Sequence, residues 1–105
     1  MSDRDMTDMI KADVSCVGRI VYSVAGRDKK RPFVIIGIAE DALEDGIVYI
    51  ADGKLHRFSS PKRKKLKHLS VTEDTVPDIR ELSEDAHLYK RLKEYENHKK
   101  QLKDD

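Results

Sequence analysis

The chain has 105 residues, enough for one small domain with an appended helix or tail. Its 21 basic and 20 acidic residues leave a net charge of only +1, but the charges are segregated, since residues 19–68 hold twelve basic and six acidic side chains and both ends are net acidic. The single cysteine, Cys16, excludes an internal disulfide framework, and no group of Cys and His residues has the spacing of a zinc site.

Residues 1–14 predict a flexible acidic arm. Met1–Asp13 is polar and contains no apolar run, so it lacks the apolar centre of a secretory signal. No stretch elsewhere approaches the roughly 20 apolar residues that are needed to span a bilayer. We therefore expect a soluble cytoplasmic protein without a membrane partner.

Residues 15–70 have the pattern of a small β-domain. Val17–Val24 is rich in β-branched and aromatic residues and predicts a first strand. The polar turn that follows ends at Pro32, which cannot donate a ladder hydrogen bond and is therefore excluded from a central-strand position. Phe33–Ala39 predicts a second strand. Because it is apolar at almost every position, we expect it to be buried on both faces.

The next predicted elements are shorter. Ile47–Ala51 predicts a third strand, and Asp52-Gly53 is a strong hairpin signal that predicts a returning strand over Lys54–Phe58. Leu66 and Leu69 are expected to anchor a final short strand or a turn. Several short strands with closely spaced turn signals favour a mainly β fold, a small β-barrel, over a sheet with crossover helices.

Beyond the barrel, residues 71–82 predict a linker and residues 83–103 predict a C-terminal α-helix with Ser83 as its N-cap. An apolar stripe at helical spacing is formed by Leu88, Leu92, Tyr95 and Leu102. Two interpretations of this stripe stay open. It packs on the barrel, or it docks a partner protein or a second copy of the chain.

Two clusters of basic residues predict a phosphate-binding surface, because long flexible cations release condensed counterions without demanding exact geometry. Lys62–Lys67 holds five cations in six residues, and Lys54–His68 as a whole holds seven basic residues and no acidic one. The other cluster lies in the first turn. The two clusters clamp a phosphate backbone if they meet at one rim, and are separate solvated loops if they do not. The predicted RNA-binding residues are Arg27, Lys29, Lys30, Arg31, Lys54, Arg57, Lys62, Arg63, Lys64, Lys65, Lys67 and His68.

No constellation of residues predicts catalysis. Cys16 has no histidine near it in the sequence to activate it as a nucleophile. His56 and His68 lie in the basic region and are expected to add to the phosphate-binding surface rather than to act as bases. No pair of carboxylates is marked as acid and base, and no glycine-rich phosphate loop occurs. We expect a non-enzymatic protein with no cofactor and no metal.

Three segments together resemble a known family. They are Gly18–Lys29 followed by Phe33–Ile36, then Val48–Leu55, and then Pro61–Leu69. The first looks like a KOW motif, and the whole, about residues 15–70, resembles the small bacterial KOW-domain RNA-binding proteins. That family is similar to the KOW-barrel proteins of the archaeal and eukaryotic large ribosomal subunit.

The resemblance implies an SH3-like barrel of KOW type that binds RNA, with ribosomal RNA or the ribosome as the expected partner and a role in translation. The residues with a structural role in the motif are Gly18, Gly26, Asp28, Asp52 and Gly53. One departure is Lys30, which stands where KOW loops usually carry a second glycine and which disfavours a positive φ. Other KOW barrels are protein-interaction modules in transcription or translation, and this alternative stays open.

Overall fold

Five antiparallel strands and one C-terminal helix make up the fold. The computed structural model describes residues 14–24, 31–40 and 46–103, so residues 1–13 of the predicted arm lie outside the described residues. The strands are β1 (Arg19–Ser23), β2 (Pro32–Ile38), β3 (Ile47–Ala51), β4 (Lys62–Lys65) and β5 (Leu69–Thr75). They form one sheet in the order β4-β3-β2-β1-β5. The helix α1 spans Asp85–Lys103, and short 3₁₀ turns lie at Val14–Cys16, Leu66–His68 and Ile79–Glu81. The expectation of a mainly β domain with a C-terminal helix is confirmed.

Strand β2 is buried on both faces, as its continuous apolar sequence predicts. Phe33 and Ile35 belong to one apolar cluster, whereas Val34 between them belongs to a second cluster on the other face. The first cluster is completed by Cys16, Val21, Val48, Ile50, Leu66 and Leu69. The second is completed by Ile20, Ala51, Val76, Ile79, Leu88 and Leu92. The expectation that Pro32 is excluded from a central strand is wrong, because Pro32 is the first residue of β2, the middle strand, where a missing N–H is tolerated.

The apolar stripe of α1 packs on the sheet of its own chain. Leu88 and Leu92 are buried in the second cluster, and Tyr95 is half-buried against it. Full burial of one leucine contributes about 1.5–3 kcal/mol to stability. Of the two interpretations of the stripe, docking of a partner through Leu88 and Leu92 is therefore wrong. The side chain of Leu102 lies outside the described residues.

The predicted hairpin after β3 is wrong in its second strand. Asp52 Oδ1 accepts hydrogen bonds from the backbone N–H groups of Lys54 (3.0 Å) and His56 (2.9 Å). A short acidic side chain that captures nearby backbone donors competes with strand pairing, so Lys54–Phe58 forms a compact loop. The strand that pairs with β3 is β4, the basic run itself.

The predicted linker contains the fifth strand. β5 runs to Thr75 and pairs with β1, with Val71 opposite Val21. Gly18, just before β1, has a φ of 98°. Its N–H donates to the carbonyl of Ile35 on β2, and its carbonyl accepts from the N–H of Val76 just after β5, both at 2.7 Å. The sequence signal is weak because β5 is largely polar. The helix begins at Asp85, two residues after the predicted start.

Candidate nucleic-acid interface

Four consecutive cations form β4, an edge strand of the sheet that the structure describes. Lys62 pairs with Ile50, Arg63 with Tyr49, Lys64 with Val48 and Lys65 with Ile47. Because successive side chains of a strand point to opposite faces, these cations project on both sides of the edge. Lys62, Arg63 and Lys65 are exposed, and Lys64 is half-buried.

The basic surface continues past β4 through a 3₁₀ turn. Leu66 and Leu69 are both buried in the first apolar cluster, as expected of anchors, and the N–H of Leu66 donates to the carbonyl of Gly46 at 2.7 Å. These anchors leave the two residues between them, Lys67 and His68, exposed. We call the whole ridge the basic edge; it consists of Lys62, Arg63, Lys64, Lys65, Lys67 and His68.

The lysines of the basic edge have no carboxylate partner among the described residues. Within the ranges that the structure describes, Lys62, Lys64, Lys65 and Lys67 form no ion pair. Asp52, the acidic residue that precedes them in the chain, is occupied by its own loop and by Arg31, whose Nη1 lies 3.6 Å from Asp52 Oδ2. Clustered cations without counter-charges produce a local positive potential that attracts polyanions.

Arg63 is held against an aromatic ring. Its Nη1 donates to the hydroxyl of Tyr49 at 3.0 Å, and its guanidinium carbon lies 5.6 Å from the Tyr49 ring centroid. The sequence analysis did not predict this pairing. The pairing depends on the β3–β4 register, which could not be read from the sequence because Lys54–Phe58 was expected to be the returning strand.

The cluster of the first turn is only partly described. Arg27, Lys29 and Lys30, together with the motif residues Gly26 and Asp28, lie outside the described residues. Val24, the last described residue before this turn, lies beside the basic edge, because its N–H donates to the carbonyl of His68 at 3.2 Å.

Arg31 and Lys54 lie against α1 and not on the basic edge. Arg31 lines a cavity of ≈ 180 Å³ between sheet and helix, with Asp52, Tyr89, Lys93 and Glu96 among the other lining residues. The Lys54 ammonium lies 5.3 Å from the centroid of the Tyr89 ring. This cavity mixes two cations with two carboxylates, so its charge is balanced and does not suit a polyanion. Arg57 is exposed in the loop before β4.

Acidic residues gather at the opposite edge of the sheet. Asp74 of β5 accepts a hydrogen bond from the Tyr95 hydroxyl at 2.7 Å and lies 3.5 Å from the Lys99 ammonium. Burial raises the pKa of Tyr95 above its ordinary value. Asp78 accepts two hydrogen bonds from the Arg91 guanidinium, which lowers the pKa of its carboxyl. These carboxylates are thus paired with cations of α1 and not with the basic edge.

The remaining candidate chemistry is sparse. Cys16 is a buried thiol in the first apolar cluster. In the part of the chain that the structure describes, no three His, Cys, Asp or Glu side chains are placed to hold a metal ion. No helix among the described ranges has the length and apolar character to cross a membrane.

The two ends of the sheet therefore differ in chemistry. One end carries the cations of β4 and of the turn after it, and the other carries carboxylates that are paired with cations of α1. The chain as a whole matches no known family model and no curated protein.

Proposed function

We propose that this chain is a non-enzymatic cytoplasmic RNA-binding protein of KOW type, which binds ribosomal RNA or acts in translation through the basic edge. The observation that carries the proposal is an edge strand made of four consecutive cations, Lys62–Lys65, with no carboxylate paired to its lysines within the described residues. Lys67 and His68 extend the same surface.

The chemistry of the basic edge suits a phosphate backbone. A strand rises about 3.3 Å per residue, so its cations are spread along a line and reach successive phosphates rather than one point. Each phosphate contact releases condensed counterions, and affinity therefore falls steeply with salt. Lysines provide little base-specific readout, so binding follows the shape and charge of structured RNA more than its sequence.

The strand order supports an SH3-like barrel as the framework. β4 and β5 are the two edges of the sheet, yet only the three residues Leu66–His68 separate them in the chain. In a flat sheet of five strands the edges lie about 19 Å apart, at about 4.8 Å per strand. The four residue steps from Lys65 to Leu69 span at most about 14 Å even when extended. A sheet that curls towards closure meets this limit, which supports the proposal of a small barrel.

A purely structural role for the cations is the main competitor to RNA binding. Charged side chains on edge strands, lysine above all, prevent edge-to-edge aggregation.

The alternative of a protein-interaction module relied on the apolar stripe of α1. Leu88 and Leu92 of that stripe are buried on their own sheet and are not accessible to a partner. No other observation favours that alternative.

The test is a fluorescence titration with a mixed pool of cellular RNA. Wild type is compared with a variant in which Lys62, Arg63, Lys64, Lys65 and Lys67 are each replaced by Gln. We expect tight, salt-sensitive binding by wild type and its collapse in a variant that stays monomeric. Absence of binding by wild type, or a variant that binds equally well, overturns the proposal. A variant that aggregates and still binds RNA assigns the cations to edge protection.

A further inference from the structure

The pair of Tyr49 and Arg63 lies beside an open position of the sheet. Gly37 on β2 is the direct neighbour of Tyr49 on one side, and Arg63 on β4 is its direct neighbour on the other. A Cβ atom added at Gly37 would meet only one atom of the described residues within 4 Å, Cδ2 of Tyr49 at 3.7 Å. The surface next to the ring is therefore not covered by a side chain from β2.

Among the described residues, nothing requires glycine at position 37. The described glycines with positive φ are Gly18, Gly46 and Gly53, and Gly37 is not among them. The 3.7 Å contact is an ordinary van der Waals distance, so crowding does not exclude a side chain either. The register shifts between Ile35 and Gly37, but a bulge without a positive φ accepts other residues. Glycine weakens a strand interior, and it often marks a place where a ligand approaches closely.

The chemical groups beside Gly37 suit a nucleobase. The Tyr49 ring is half-buried and the Arg63 guanidinium is exposed, and the 3.0 Å hydrogen bond between them fixes their relative position. Unpaired bases stack on aromatic rings and on guanidinium planes. Lys65 lies two residues beyond Arg63, so it projects on the same face of β4 and provides a cation for an adjacent phosphate.

We propose that Tyr49 and Arg63 form a stacking platform for one unpaired base of RNA, over the space that Gly37 leaves open. This proposal rests on the proposed function and deepens it, because it identifies unpaired nucleotides, with their flanking phosphates, as the preferred target. Fully paired RNA offers no base to the platform and is bound by the lysines of the basic edge alone.

The experiment uses the full chain and two RNA probes. One probe is a short single strand that contains 2-aminopurine, whose fluorescence is quenched by stacking, and the other is a fully paired duplex. Gly37→Val covers the open surface without changing charge, and Tyr49→Leu removes the ring. Thr75→Val is the control, since it places the same side chain at an exposed position of the opposite edge strand. A urea unfolding curve for each variant shows whether that variant is folded. If Tyr49→Leu does not fold, Gly37→Val still tests the proposal.

Wild type and the Thr75→Val control are expected to quench the probe on binding. Gly37→Val and Tyr49→Leu are expected to lose the quenching and to bind the single strand on the order of tenfold more weakly, while their affinity for the duplex is unchanged. Equal quenching and equal affinities in all four proteins overturn the platform and leave RNA binding in place. Failure of wild type to bind either probe overturns the proposed function and the platform with it.

Discussion

The backbone of Gly53 lies directly against the carbonyl oxygen of Asp85 at the start of α1. A Cβ atom at Gly53 would be 2.1 Å from that oxygen and 2.9 Å from the backbone nitrogen of Tyr89. The φ of Gly53 is 83°, a value that side-chain-bearing residues rarely adopt. The N–H of Phe58 also donates to Asp85 Oδ1 at 2.8 Å. The loop after β3 therefore packs closely against the first turn of α1 and is hydrogen-bonded to it.

Replacement of Gly53 by Ala should destabilise the fold. A positive φ in a residue with a Cβ costs about 1–2 kcal/mol, and the overlap with α1 adds about 1–3 kcal/mol. The sum lowers the melting temperature by about 10 °C or more in a domain of this size. Gly37→Ala is the matched control, because its Cβ meets no close contact and its stability should be unchanged or higher. Equal melting temperatures for wild type and Gly53→Ala would contradict the close packing of loop and helix.

Helix α1 should prove essential to the stability of the sheet. Leu88 has no exposed surface and belongs to the second apolar cluster. Leu88→Ala is expected to lower the free energy of unfolding by about 2–5 kcal/mol because it leaves a cavity under the helix. Leu55, of which 50% is exposed, is the control, and Leu55→Ala should change stability by no more than about 0.5 kcal/mol. Urea unfolding measures both. A small effect at Leu88 would mean that α1 is only loosely attached.

Because of the buried Tyr95 hydroxyl, which donates to Asp74, the free energy of unfolding should depend on pH in the alkaline range. Burial raises the pKa of Tyr95 above its ordinary value of 10.0, so the folded state holds the phenolic proton more tightly than the unfolded state. This contribution is fully present below pH ~10 and is lost as pH rises above that value.

Tyr95→Phe removes the ionising group and one hydrogen bond. The variant should be less stable than wild type by about 1 kcal/mol near neutral pH. The difference between the two proteins should shrink between pH ~10 and pH ~11.5, because only in wild type is the unfolded state stabilised by releasing a phenolic proton that the folded state retains. Urea midpoints across this pH range test the prediction. A difference that stays constant with pH would show that Tyr95 ionises equally in both states.

Those parts of the fold that depend on local apolar pattern could be predicted from the sequence. The burial of β2 on both faces follows from its continuous apolar run, and the helix follows from the spacing of Leu88, Leu92 and Tyr95. The parts that depend on polar side chains could not. Asp52 closes the loop that resembled a hairpin, and β5 carries too few apolar residues to be recognised as a strand.

The candidate site shows the same division. The basic run is visible in the sequence, and so are its anchors Leu66 and Leu69. Its placement on an edge strand is not visible, because that depends on which segment pairs with β3. The position of Arg31 beside Asp52, away from the basic edge, is likewise not visible, because the two residues are distant in the sequence.

The salt dependence of RNA binding tests the role of the basic edge most directly. Two variants with the same change of charge are compared with wild type on one structured RNA. Lys65→Gln/Lys67→Gln removes two cations of the basic edge, and Arg80→Gln/Lys90→Gln removes two exposed cations from outside it. Affinity is measured from about 50 mM to about 200 mM salt.

The slope of log affinity against log salt concentration is the quantity that decides. The basic-edge variant should lose about 0.7–0.9 from the magnitude of the slope for each phosphate contact removed, whereas the Arg80/Lys90 variant should keep the slope of wild type. Slopes that fall equally in both variants would show that only overall charge matters. Slopes that fall only in the Arg80/Lys90 variant would contradict the account and move the RNA surface away from β4.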